Sequence, residues 1–205
     1  MLTGPQGLLD EARRWSLHGM NRDAWKRYGA SGSWFYDVER PGFKYNMTDI
    51  QAALGLHQLN KLPLFHAKRR AIIDRYQTAF RSREELELPS ERKDSEHAWH
   101  LYVLRLNLDR AGISRDKFID EMRDRNIGCS VHFIPIHLHR YYREKYRYQP
   151  EDFPVALREY RRMVSLPLSP RMTEEDVNDV ISAVTSVLQD YAPARSSHLS
   201  DVASV

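Results

Sequence analysis

The chain has 205 residues, 41% of them hydrophobic and 29% charged, which supplies both a core and a solvated surface. Its 31 basic residues exceed 28 acids by three, and the signs are interleaved, as in "REELELPSERKDSE", so no basic stripe points to nucleic acid or an anionic membrane. Cys129 is the single cysteine, which excludes an internal disulfide framework and a cysteine-rich metal site. No apolar run reaches membrane-spanning length and the start lacks a signal-peptide pattern, so a cytoplasmic setting is expected.

Met1–Leu2–Thr3 is a short apolar start that stops at Gly4–Pro5. "LLDEARRWSL" (Leu8–Leu17) has helical apolar spacing at Leu8, Leu9, Ala12 and Trp15. From His18 to Gly42 the sequence reads as loop, with Trp25, Tyr28, Trp34, Phe35 and Tyr36 set among glycines and serines. Exposed aromatics in such number seek a partner. Residues 1–47 are therefore expected to be irregular and loosely packed as a monomer.

Thr48 and Gln51 form a capping box ahead of a helix carrying Ile50, Ala52, Ala53, Leu54, Leu56, Leu59 and Leu62. At 100° per residue these spread around the circumference, which predicts burial on several sides. Pro63 is expected to close that helix and to open a second one, whose apolar face is Phe65, Ile72, Ile73, Tyr76, Ala79 and Phe80.

"ELELPSERKDSE" reads as a polar connector, and "WHLYVLRLNL" after it as a strand. Ser114 caps a predicted helix running to Arg125, anchored by Phe118, Ile119 and Met122. Asn126 and Gly128 end it, and "CSVHFI" (Cys129–Ile134) alternates as a second strand. "VSLPLSP" is a short extended piece. Met172 and Val177 can staple a cap at Thr173, ahead of a stripe formed by Val177, Val180, Ile181, Val184, Val187, Leu188 and Tyr191. The tail past Pro193 is expected to be disordered. The organisation predicted is an outlying segment 1–47, linking helices 48–82, a small α/β domain 83–191 and a tail 192–205.

Three features bear on chemistry. His97 and His100 flank the start of one predicted strand, while His132, His137 and His139 sit in or after the other. Imidazoles there could ligate a metal, contact phosphate or sugar hydroxyls, or be structural; alternation along a strand turns His97 and His100 apart, and no carboxylate pattern completes a metal site. "RYYREKYRY" could stack a base and neutralise a diphosphate, or form a solvated amphipathic helix. Lys44, Tyr45 and Asn46 lie just ahead of a helix N-terminus, where free amides and the macrodipole favour an anion; a plain turn into a helix would also account for them. Cys129 starts a buried-looking strand, which makes its thiol inert, and "GPQGLLDEA" lacks the full glycine fingerprint of a phosphate loop.

"GFKYNMTDIQAALGLHQLNKL", "HAWHLYVLRL", "GISRDKFIDEMRDRNIGCSVHFIPIHLHRYYRE" and "SLPLSPRMTEEDVNDVISAV" together resemble the C-terminal half of the DegT/DnrJ/StrS sugar aminotransferases. The nearest likeness is to the branch acting on uridine-diphosphate 4-keto-pentoses, as in 4-amino-4-deoxy-arabinose synthesis. The resemblance implies a fold-type I α/β architecture, pyridoxal phosphate as cofactor, a nucleotide-sugar substrate, an amino donor such as glutamate, and a homodimer. It places Asn46, helped by Lys44 and Tyr45, at the neighbouring subunit's cofactor phosphate, and makes His100, His132 and His137 substrate-side contacts. Part of the first linking helix would be dimer interface.

In the family the Schiff-base lysine lies upstream of a strand whose end resembles Met1–Leu2–Thr3, so none of this chain's lysines takes that position and no catalytic residue is assigned. Two readings follow. The chain is a portion of a pyridoxal-phosphate nucleotide-sugar aminotransferase, inactive and without retained cofactor on its own; or it is a non-catalytic remnant that binds a partner subunit or a nucleotide sugar. An in-frame upstream extension encoding a lysine and a Gly-Gly strand would favour the first.

Overall fold

A computed structural model describes residues 4–20 and 37–191. The expectations for Met1–Thr3, for most of the aromatic loop and for the tail lie outside the described residues. The chain divides into two units, Met1–Lys61 and Leu62–Val205.

In the first unit, α1 (Gln6–Ser16) follows Pro5 and has one half-buried face and no fully buried residue. Its C-terminus is closed by His18 and Gly19, both at positive φ, with the Gly19 N–H donating to the Arg14 carbonyl at 2.9 Å. Residues 38–45 then lie back along that end. Leu17 bridges Lys44 and Met20 bridges Val38, both antiparallel. Gly19 and Gly42 permit the approach: a Cβ on Gly42 would sit 2.2 Å from the Gly19 nitrogen. The described part of this segment is thus pinned by backbone bonds, where the sequence suggested loose structure.

α2 (Asp49–Phe80) starts in the first unit and continues in the second. Thr48 and Gln51 form the expected capping box, with N···O distances of 3.0 and 3.4 Å. Pro63 does not divide the helix. It removes only its own N–H bond to the carbonyl four residues back, and helix continues on both sides. The predicted burial of the early apolar residues is also corrected: Ile50, Leu54, Leu56, Leu59, Leu62 and Leu64 are exposed. Burial along α2 begins at Ile72 and includes Ile73, Tyr76 and Phe80.

The second unit is built on a three-stranded antiparallel sheet in the order β1 (Leu86–Glu87), β2 (Tyr102–Leu106), β3 (Met163–Leu166). Tyr102 pairs with Leu166 and Leu104 with Val164, while Leu86 pairs with Leu106. Tyr102, Leu104 and Leu106 alternate onto the buried face. Alongside them in the core lie the apolar stripe of α2, Phe118 and Met122 of α4 (Arg115–Asp124), and Val177, Val180, Val184, Val187 and Leu188 of α7 (Glu174–Tyr191). The Ser114 and Thr173 caps are both present. α3 (Leu108–Ala111) is a single turn after β2.

Three predicted details differ. β1 lies inside the polar connector, where two residues suffice to pair. β2 is shorter than its apolar run, because Trp99 sits in a bend at φ 47° and Leu108 already belongs to α3. "CSVHFI" makes one bridge, Ser130 to Ser165, and then leaves the sheet edge, with Phe133 and Ile134 exposed; alternation alone cannot supply a partner. Two further helices, α5 (Arg140–Tyr146) and α6 (Pro154–Arg162), complete the unit. α6 begins at Pro154, buries Leu157, and its Glu159 and Arg162 join Arg105 and Glu87 in an ion-pair network.

Candidate functional site

Pro41–Asn46 is held by its backbone. The Phe43 N–H donates to the Trp15 carbonyl at 2.7 Å, the His18 N–H to the Phe43 carbonyl at 2.9 Å, and the Tyr45 N–H to the Ser16 carbonyl at 2.8 Å. Tyr45 stacks on Phe43 with centroids 4.9 Å apart, and Phe43 lies 6.0 Å from Trp15. Arg40 ties the strip to α1 through Glu11 and lies over the Trp15 ring. The result presents the Lys44 and Tyr45 side chains to solvent and leaves Asn46 half-buried beside them.

The helix end that follows does little for an anion. Its capping box already engages the Gln51 N–H, and Asp49 places a carboxylate in the first turn. Any phosphate contact therefore rests on the side chains of residues 44–46. An ammonium, a phenol and a carboxamide can donate to phosphate oxygens, so this donor set fits the phosphate of pyridoxal phosphate.

The histidines have distinct surroundings. His100 is exposed just before β2. His97 accepts from the Trp99 N–H at 2.9 Å and packs on the Trp99 ring, which makes it part of the bend. His132 Nδ1 lies 2.9 Å from Ser165 Oγ on β3. His137 is buried, with Nε2 3.2 Å from the Pro150 carbonyl and its ring 4.7 Å from Phe153. No group of three or more His, Cys, Asp or Glu arranged for a metal occurs among the described residues. Burial pushes the Cys129 thiol up to about 12, which keeps it protonated and unreactive.

Sequence reasoning overlooked His66 and Arg69. His66 Nε2 lies 2.9 Å from the His97 carbonyl, and His66 and Arg69 line a hollow of about 670 Å³ with Leu62, Arg70 and Ala98. Arg69 Nε is buried with no partner among the described residues. Nothing in "AKRRA" marks one arginine as special, since Arg69 and Arg70 differ only in the helix face they occupy.

The profile of the DegT/DnrJ/EryC1/StrS aminotransferase family matches residues 1–185. The spore coat polysaccharide biosynthesis protein SpsC of Bacillus subtilis is 48% identical over 190 residues, covering 92% of this chain and 49% of SpsC. The MJ1066 protein of Methanocaldococcus jannaschii is 46% identical over 188 residues, again covering 92% of this chain and 49% of the relative. The chain spans about half the length of the curated relatives it matches. Among solved structures, Spr1654 of Streptococcus pneumoniae, assigned as a sugar aminotransferase, superposes in its PMP form with a TM-score of 0.77 at 30% identity. That match covers 92% of this chain and 47% of Spr1654. The mixed α/β structure is accordingly part of a fold-type I architecture. No helix among the described residues is long and apolar enough to cross a membrane. The chain belongs to the DegT/DnrJ/EryC1/StrS aminotransferase family.

Proposed function

We propose that this chain forms the C-terminal portion of a pyridoxal-phosphate-dependent nucleotide-sugar aminotransferase, moving an amino group from a donor such as glutamate to a 4-keto sugar nucleotide. The observation that carries the reading is the presentation of Lys44, Tyr45 and Asn46 on a backbone pinned to α1, directly ahead of a helix whose apolar side chains are exposed. Such a face calls for a second copy, and the neighbouring cluster then reaches that copy's cofactor phosphate.

Pyridoxal phosphate, when bound, supplies the electron sink for amino transfer. Lys44 and Asn46 hold its phosphate by a charged and a neutral hydrogen bond. His100 and His132 serve on the substrate side as donors to sugar hydroxyls or phosphate, while the buried His137 supports that wall through Pro150 and Phe153. The lysine that carries the cofactor is not one of this chain's seven, so the 205 residues alone are expected neither to retain the cofactor nor to transaminate.

A chimera tests this, with residues 1–205 replacing the matching segment of SpsC. It is expected to bind pyridoxal phosphate and aminate a UDP-4-keto-pentose. Lys44→Met and Asn46→Ala should each weaken cofactor affinity roughly tenfold, the loss of one charge-assisted or buried hydrogen bond. A folded chimera whose affinity ignores both substitutions contradicts the assignment.

A further inference from the structure

Along β3 the core takes Val164 and Leu166, opposite Leu104 and Tyr102 of β2. Ser165 between them points to the other face of the sheet, and yet it is only 4% exposed. A hydroxyl so covered needs a partner. Its side-chain partner is His132, with Oγ 2.9 Å from Nδ1. The backbone closes the same joint. The Ser165 N–H donates to the Ser130 carbonyl at 2.8 Å, and the Ser130 N–H donates to the Ser165 carbonyl at 3.1 Å. Ser165 therefore grips residues 130–132 at three points, where the chain leaves the sheet edge toward the exposed Phe133.

The Ser165 hydroxyl has one proton, and among the described residues His132 Nδ1 is the only group in reach to accept it. If Nδ1–H donated to Oγ instead, the hydroxyl proton would be buried with its hydrogen bond unmade. Donation from Oγ–H to Nδ1 satisfies both atoms. It fixes the neutral ring as the tautomer that carries its proton on Nε2. That Nε2 has no partner among the described residues, and the ring is half-buried, edge-on to Phe133 at 4.8 Å. One N–H is left free to donate, on a ring held from behind.

We propose that Ser165 is a positioning residue, holding His132 as the Nε2–H tautomer so that the ring donates to an acceptor oxygen of the sugar nucleotide. This rests on the reading of His132 as a substrate-side contact and adds what sets its hydrogen-bonding state. A free imidazole exchanges its proton between the two nitrogens and presents a donor at Nε2 only part of the time. A ring fixed by Ser165 presents that donor throughout. It selects a hydroxyl, carbonyl or phosphate oxygen over an ammonium, which has no lone pair to offer. Of His97, His132 and His137, only His132 is oriented by a side chain of the sheet; the other two bond to backbone groups.

Two-bond proton–nitrogen correlation spectra of the 205-residue chain at neutral pH read the tautomer directly, with His132→Gln identifying the His132 signals among those of nine histidines. The expected pattern is a bare Nδ1 and a protonated Nε2. Ser165→Ala should draw the two nitrogen shifts together, as in a freely exchanging ring, and Ser165→Thr, which keeps the hydroxyl, should restore the native pattern. If circular dichroism shows either variant unfolded, the natural chain and the other variant decide. A ring protonated on Nδ1 in the natural chain, or a pattern unchanged in folded Ser165→Ala, overturns the inference. In the SpsC chimera, Ser165→Ala should raise KM for the UDP-4-keto-pentose roughly threefold to tenfold, the weight of one hydrogen bond, and affect kcat less. An unchanged KM overturns the donor role. A chimera that fails to aminate while the tautomer still depends on Ser165 sinks the enzyme reading and leaves the positioning of His132 standing.

Discussion

Tyr76 Oη donates to the Pro167 carbonyl at 2.9 Å, joining α2 to the segment that leaves β3. Both partners belong to the second unit, and Tyr76 is fully buried against Tyr102, with ring centroids 5.1 Å apart. Tyr76→Phe keeps the ring packing and strands the carbonyl. It should cost about 1 kcal/mol, read as a lower midpoint in urea with an unchanged slope. No shift in midpoint would mean that the bond contributes nothing.

Glu121 ties α4 to α7. It accepts from Tyr191 at 2.8 Å and pairs with Lys117 and Arg125, which itself reaches Asp190. Hydrogen bonds from Lys117, Arg125 and Tyr191 lower its pKa from 4.5 to about 2. A depressed folded-state pKa contributes stability that is fully present above the unfolded value and is lost as pH falls toward 2. Glu121→Gln should therefore flatten the fall in melting temperature between pH 5 and roughly pH 2. Equal acid slopes in the two proteins would exclude this role.

The exposed apolar side chains of α2 predict self-association. Ile50 is 76% exposed and Leu54 62%. Sedimentation should show a dimer for the natural sequence at micromolar concentration and a monomer for Leu54→Glu. A dimer unaffected by that charge would place the interface elsewhere.

Where several levels of the sequence agreed, the structure was legible. The caps at Ser114 and Thr173 and the stripe from Val177 to Leu188 each combine a local hydrogen-bond signal with the right period. "CSVHFI" had period alone, and an edge position is a property of the partner strand, β3, which no residue in 129–134 encodes. Pro63 was misread because a proline's local cost can be absorbed in a 32-residue helix. The exposure of Leu54 and its neighbours was likewise invisible, since an apolar circumference says that a surface wants cover without saying which chain provides it. The proposed cluster at 44–46 was picked out from its position before a helix. The backbone strip that presents it, built on contacts between Gly19 and Gly42, could not be read from spacing.

The central claim is that these 205 residues contribute phosphate-side and substrate-side contacts while the cofactor-carrying lysine comes from outside them. The most direct measurement adds pyridoxal phosphate to the isolated chain, reduces with borohydride, maps labelled lysines by mass spectrometry, and assays glutamate-dependent amination of a UDP-4-keto-pentose. The account predicts diffuse, substoichiometric labelling across Lys26, Lys44, Lys61, Lys68, Lys93, Lys117 and Lys145, without turnover. Stoichiometric labelling of one of these lysines, together with turnover, would contradict it.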